Sequence, residues 1–151
     1  MKVIKREDLQ ELIGKTSTSD WFLVTQEQIN QFADCTLDHQ FIHTNPELAE
    51  KTIFGSTIAH GLLSLSMLPH FAESFGMAIE GAYMGINYGF DKVRFISPVK
   101  VNSRIRAKAT ITKLVERRPG QYQCFSHIEV EIEGSDKPAL TADWITIQLV
   151  G

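Results

Sequence analysis

The chain has 151 residues, 43% hydrophobic and 22% charged, which suits one compact domain around a single core and excludes a disordered tail or a coiled coil. Fifteen Lys and Arg against eighteen Asp and Glu leave a formal net charge of -3, without the basic excess that a dedicated nucleic-acid binder needs to neutralise phosphates. Cys35 and Cys124 form no CxxC pair, so the expectation is two free, largely buried thiols in a reducing compartment.

The opening segment MKVIKREDLQELIG alternates charge with single apolar residues and lacks the apolar core of a signal peptide. No stretch reaches the ~18 apolar residues of a membrane span. The expected protein is cytoplasmic and binds neither nucleic acid nor membrane. From Arg6 to Ile13, Leu9, Leu12 and Ile13 recur at helical spacing, and Gly14 offers a stop. Trp21 to Val24 reads as a short strand. Thr25 and Gln28 form a capping box for a helix with Ile29, Phe32 and Ala33 on one face. Asn45-Pro46 starts a brief helix over Glu47 to Lys51.

After a loop containing Phe54-Gly55-Ser56-Thr57, the segment from about Ala59 to Met77 is the most apolar of the chain. Leu62, Leu63, Leu65, Met67, Leu68, Phe71 and Phe75 cover almost the whole circumference of one predicted helix, which places it in the middle of a core. Beyond Gly81 the period changes to alternation, through Val93/Phe95, Ile105 to Ile111, Ile128 to Ile132 and Ile145 to Leu149. With Pro119-Gly120 at a hairpin tip, Lys108 is predicted opposite Glu131 and Arg106 opposite Glu133. The expected fold is α+β, a curved antiparallel sheet wrapped round the helix, as a single domain over the whole chain. Exposed sheet edges favour pairing with a second copy, so a homodimer is expected.

The chemistry concentrates in Asp38-His39-Gln40-Phe41-Ile42-His43, between two predicted helices. Asp38 and His43 can converge across an irregular segment, and a carboxylate beside an imidazole moves protons near neutral pH. Gly61 stands where the apolar helix begins, and its N–H can donate to an oxygen that becomes negative during reaction. The same glycine can instead serve close helix-to-sheet packing. His39 and His43 have half of a metal-ligand spacing, but no HExxH glutamate or third ligand is marked, so no metal is expected. His60 is expected to fix its loop by hydrogen bonding, His70 to be a core or interface histidine, and His127 to be solvated beside Glu129. Lys92, Arg94, Lys100, Arg104, Arg106 and Lys108 form a basic stripe able to meet phosphates, although Glu129, Glu131 and Glu133 can pair with it.

The segment FADCTLDHQFIHTNPELA followed by FGSTIAHGLLSLS resembles the hydratase-2 motif of the MaoC-like dehydratases, and NYGFDKVRF with Pro98-Val99 resembles their nodulation-protein-N-like branch. The resemblance implies the hot dog fold and reversible hydration of trans-2-enoyl thioesters to (R)-3-hydroxyacyl thioesters. It implies Asp38 and His43 as the catalytic pair, Gly61 as the oxyanion-hole donor, and Ser66 lining the pocket. Asn87, Lys92 and Arg94 are further candidate substrate contacts, and the substrate is an acyl-CoA or acyl-carrier-protein thioester, with no separate cofactor. The usual motif has Gly before the Asp and Asn-Pro after it, where this chain has Leu37 and Gln40-Phe41. The rival readings are an acyl-CoA thioesterase on the same fold and a non-catalytic acyl-thioester binding module.

Overall fold

The change of period after Gly81 organises the molecule, because what precedes it forms short elements, helices that pack on the long strands that follow and small strands of which two join them at the sheet edge. The computed structural model describes residues 2–151. The first part of the chain holds β1 (Lys2–Ile4), a 3-10 helix (Arg6–Leu12), β2 (Thr16–Thr18), β3 (Phe22–Leu23), α1 (Gln26–Thr36), α2 (Phe41–Thr44), α3 (Pro46–Glu50), α4 (Gly61–Ser66), α5 (Leu68–Phe75) and β4 (Met77–Ile79). The long strands β5 (Ala82–Phe95), β6 (Arg104–Arg118), β7 (Gln121–Ile132) and β8 (Leu140–Val150) complete it.

The main sheet runs β2-β6-β7-β8-β5, with β3 also on β6 and each of these pairs antiparallel, while β1 and β4 make a small parallel pair. Alternate residues of β6, β7 and β8, including Ile105, Ala107, Ile128, Val130, Leu140 and Ala142, face a core shared with Val24, Ile29, Leu63, Leu68 and Phe71. Each large side chain buried there contributes about 1.5–3 kcal/mol. A smaller cluster of Ile4, Leu9, Ile79, Leu114, Tyr122 and Val150 ties down the N-terminal strand. The expected α+β fold, an antiparallel sheet packed round a central helical segment, is therefore found.

The single predicted helix is two helices, kinked at Met67. Pro69 has no N–H for the Leu65 carbonyl, so the regular ladder stops there, although Met67 N–H still reaches the Leu63 carbonyl and Phe71 N–H that of Met67. Nor is the helix buried all round: Leu62 is 59% exposed, while Leu63 and Leu68 carry the core face. The hairpin tip is where the sequence puts it, with Arg118 opposite Gln121, but bulges at Ile111/Lys113 and Glu116/Arg118 each add one residue to β6. The charge pairs thus move along by two residues without changing face: Arg106 Nε lies 2.6 Å from Glu131, Lys108 Nζ 3.4 Å from Glu129, and Arg104 3.2 Å from Glu133. The stripe is largely neutralised within the sheet. Cys124 is buried, which pushes its thiol pKa up, whereas Cys35, expected to be buried, is exposed on α1.

Candidate active site

Thr25 Oγ1 accepts from Gln28 N–H at 3.2 Å and starts α1, as the capping pattern predicts. The helix ends at Leu37, whose φ of 62° and ψ of 22° place a leucine in the left-handed conformation that glycine adopts at low cost. The turn geometry that Gly would provide is kept without Gly. It delivers Asp38 to the mouth of a cavity, with its carboxylate about half exposed.

His43 is not on an irregular loop, as its place between predicted helices suggests, but on α2, and it is only 7% exposed. Its Nδ1 lies 2.7 Å from the Ile58 carbonyl. A carbonyl only accepts, so Nδ1 carries the proton and Nε2 remains the ring's acceptor. Burial holds the His43 imidazole below the ordinary histidine value; the Ile58 bond opposes this, His60 adds to it, and the Asp38 charge opposes it. His60 stacks on His43 with ring centroids 3.8 Å apart, and its Nε2 donates to the Asp38 carbonyl at 3.0 Å. His60 therefore fixes the loop as expected, while its buried Nδ1 has no partner among the described residues.

Asp38, His43 and His60 offer ligand atoms within 4.8 Å of one another. The two imidazoles are stacked at 24°, however, and lone pairs in nearly parallel ring planes do not converge on one ion. His39 turns away and pairs with Asp34 at 2.9 Å. The arrangement suits proton transfer.

Asp38, His43 and Gly61 share the lining of one cavity of about 630 Å³ with Phe32, Phe54 and Phe95. Gly61 is the first residue of α4, and its N–H makes no hydrogen bond among the described residues. A Cβ there would come within 2.7 Å of the Phe95 ring, so close packing explains the glycine, and its N–H stays free among the described residues as the oxyanion role would require. Ser66 lies outside this lining, its hydroxyl donating to the Leu62 carbonyl at 2.7 Å, while Ser64 lines the cavity. Asn87 lines a separate cavity of about 410 Å³ and accepts from Trp144 Nε1 at 3.1 Å. Lys92 lies 3.9 Å from Asp143, and Arg94 donates to the neighbouring Val93 carbonyl at 2.7 Å; neither lines the Asp38 cavity. His70 is half exposed against Phe22 rather than in the core, and His127 pairs with Asp143 at 2.8 Å. Sequence reasoning missed Gln26 and Thr57, whose side chains bond to each other beside His43; only their buried neighbourhood reveals them.

The family model for the MaoC like domain matches residues 8–128, which hold Asp38, His43, His60, Gly61 and the phenylalanines of their cavity. The chain belongs to the MaoC-like dehydratase family. Nodulation protein N of Rhizobium meliloti is 44% identical over 149 residues, covering 97% of this chain and 92% of that one. The 3-hydroxyacyl-thioester dehydratase Z of Mycobacterium tuberculosis is 44% identical over 131 residues, 87% of this chain and 86% of that one. The solved (R)-hydratase from A. caviae superposes with a TM-score of 0.73 at 21% identity, covering 89% of this chain and 94% of that one. The fold of this MaoC-like chain is the hot dog fold that its sequence resemblance implies.

Proposed function

We propose that this chain catalyses the reversible hydration of trans-2-enoyl thioesters to (R)-3-hydroxyacyl thioesters, with coenzyme A or a carrier protein as the thiol part of the substrate. Family membership supports the reaction class, and the (R) outcome is the one the family resemblance implies. One observation carries the assignment: His43 is buried with Nδ1–H committed to Ile58, leaving Nε2 as the ring's acceptor, and it lines one cavity with Asp38 and Gly61.

In the hydration direction Asp38 and His43 jointly hold a water and take its proton as the oxygen bonds to Cβ. The C=C electron pair moves through Cα onto the thioester oxygen, where the Gly61 N–H stabilises the charge. Collapse of that enolate takes a proton at Cα, returned by the Asp38/His43 pair. The C–S bond is untouched, and the scheme uses neither a metal nor a redox cofactor. A low His43 pKa keeps the imidazole in its base form at neutral pH.

The homodimer belongs to the same proposal. Among the described residues the edge strand β5 pairs with β8 on one side only and exposes Tyr83, Met84, Ile86 and Tyr88, which a second copy would cover. Incubation with crotonyl-CoA followed by chiral analysis of the acyl product tests the reaction. Intact (R)-3-hydroxybutyryl-CoA is expected; free thiol and crotonate would replace the reading with a thioesterase, and the (S) product would remove the stereochemical assignment.

A further inference from the structure

Three bonds run from the short segment Thr57 to His60 to the residues around the proposed catalytic pair, two of them to His43 and Asp38 themselves. Thr57 Oγ1 donates to Gln26 Oε1, the Ile58 carbonyl accepts from the His43 ring, and His60 Nε2 donates to the Asp38 carbonyl. Gln26 closes the frame, because its Nε2 donates to the His43 carbonyl at 2.7 Å. The Ile58 N–H completes the join by donating to the Ile42 carbonyl at 3.0 Å. Gln26 is the first residue of α1 and Asp38 follows its last turn, so one helix is tied at its start to His43 and presents Asp38 beyond its end.

We infer that Gln26 is a positioning residue that sets the geometry of the Asp38/His43 pair through the His43 carbonyl and Thr57. It rests on the proposed reaction for its kinetic consequence but not for its structural one. Gln26 does not line the cavity, so it acts on substrate only through His43. Its amide is chemically suited to this place: the donor end satisfies the carbonyl of a helix too short to bond it internally, and the acceptor end satisfies the hydroxyl of Thr57, a residue only 1% exposed. Glutamate would lose the donor, and methionine would keep the length while losing both bonds. Loss of either bond frees α2 to shift against Ile58, and misplacement of a reacting group by about 1 Å costs on the order of 10²-fold in rate.

The test compares wild type with Gln26→Met, Thr57→Val and Thr57→Ser, with Asn30→Ala as control because Gln26 Nε2 also donates to the exposed Asn30 at 2.9 Å. Two readouts are needed: steady-state hydration of crotonyl-CoA across pH, and the ¹⁵N signals of the His43 ring in the folded protein. Gln26→Met and Thr57→Val are expected to lower kcat about 10- to 100-fold with KM within about twofold. The His43 Nδ1–H signal should broaden or move in both, and the acid limb of kcat/KM should shift toward the ordinary histidine range as water reaches the ring. The groups facing that ring are His60, Asp38 and the Ile58 carbonyl, all retained in these variants. Thr57→Ser should restore most of what Thr57→Val loses, and Asn30→Ala should leave both readouts unchanged. An unchanged His43 ring signal in folded Gln26→Met overturns the inference, as does a rate loss that only follows the folded fraction. If wild type hydrates nothing, the reaction assignment fails while the ring signals still decide the role of Gln26.

Discussion

The corner around His43 and the outer half of β5 are built on opposite principles. Around His43 a set of hydrogen bonds joins Gln26 to Thr57 and to the His43 carbonyl, the His43 ring to Ile58, and His60 to the Asp38 carbonyl, and the apolar rings of Phe32 and Phe95 close in beside them. Along β5 from Tyr83 to Tyr88 the strand shows both faces to solvent, and a Cβ at Gly85 or Gly89 would meet nothing within the chain. The first region is held together by bonds within one copy. The second leaves hydrophobic side chains exposed along a strand edge that pairs on one side only among the described residues, and the contrast separates the corner proposed for chemistry from the edge proposed for assembly.

Substitutions in the corner should give the largest effects. Asp38→Asn and His43→Gln are expected to lower hydration of crotonyl-CoA by about 10²–10⁴-fold. Thermal melts should separate the two: exposed Asp38→Asn leaves stability nearly unchanged, whereas His43→Gln disturbs a buried bond to Ile58 and costs about 1–3 kcal/mol. Near-wild-type turnover in either variant would erase the distinction between the two regions.

On the other side of the comparison, paired charge substitutions Ile86→Lys and Tyr88→Glu should convert a dimer to a folded monomer in sedimentation velocity. A wild-type protein that already sediments as a monomer would show that β5 is bare for another reason.

Smaller effects sharpen the account of the corner. The folded His43 has a pKa below its unfolded value of 6.5, so its contribution to stability is fully present above that value and is lost as pH falls through the folded pKa. Denaturant titrations below neutrality should show that loss in wild type and a shallower one in His43→Gln. The smallest change is at Leu37, which is 81% exposed and holds a φ of 62°. Leu37→Gly removes left-handed strain without removing packing and should stabilise the protein by up to about 1 kcal/mol, read from its denaturation midpoint.

Much of this was legible in the sequence, for reasons that differ by region. Alternation in β6, β7 and β8 survives because one face of each strand is buried, and Thr25 and Asn45 act as caps through bonds to residues three positions away. Pro69, which interrupts the ladder behind the Met67 kink, stands in the sequence as a helix breaker, but the apolar run around it outweighs that signal. The bulges in β6 leave no composition signal, so the hairpin register slipped by two while its tip and its charge faces held. Asp38, His43 and Gly61 could be named from the motif, but the burial of His43 could not, because it depends on the return of Ile58 fifteen residues later. Gln26 and Thr57 are unremarkable in sequence, and only the fold makes them neighbours.

The most direct test of the central claim follows the conjugated enoyl-thioester absorbance of crotonyl-CoA with wild type and Asp38→Asn, with a thiol reagent in a parallel reaction. The account predicts loss of the band with wild type, no thiol release, and no loss with Asp38→Asn. Thiol release, or equal loss of the band with the variant, would contradict it.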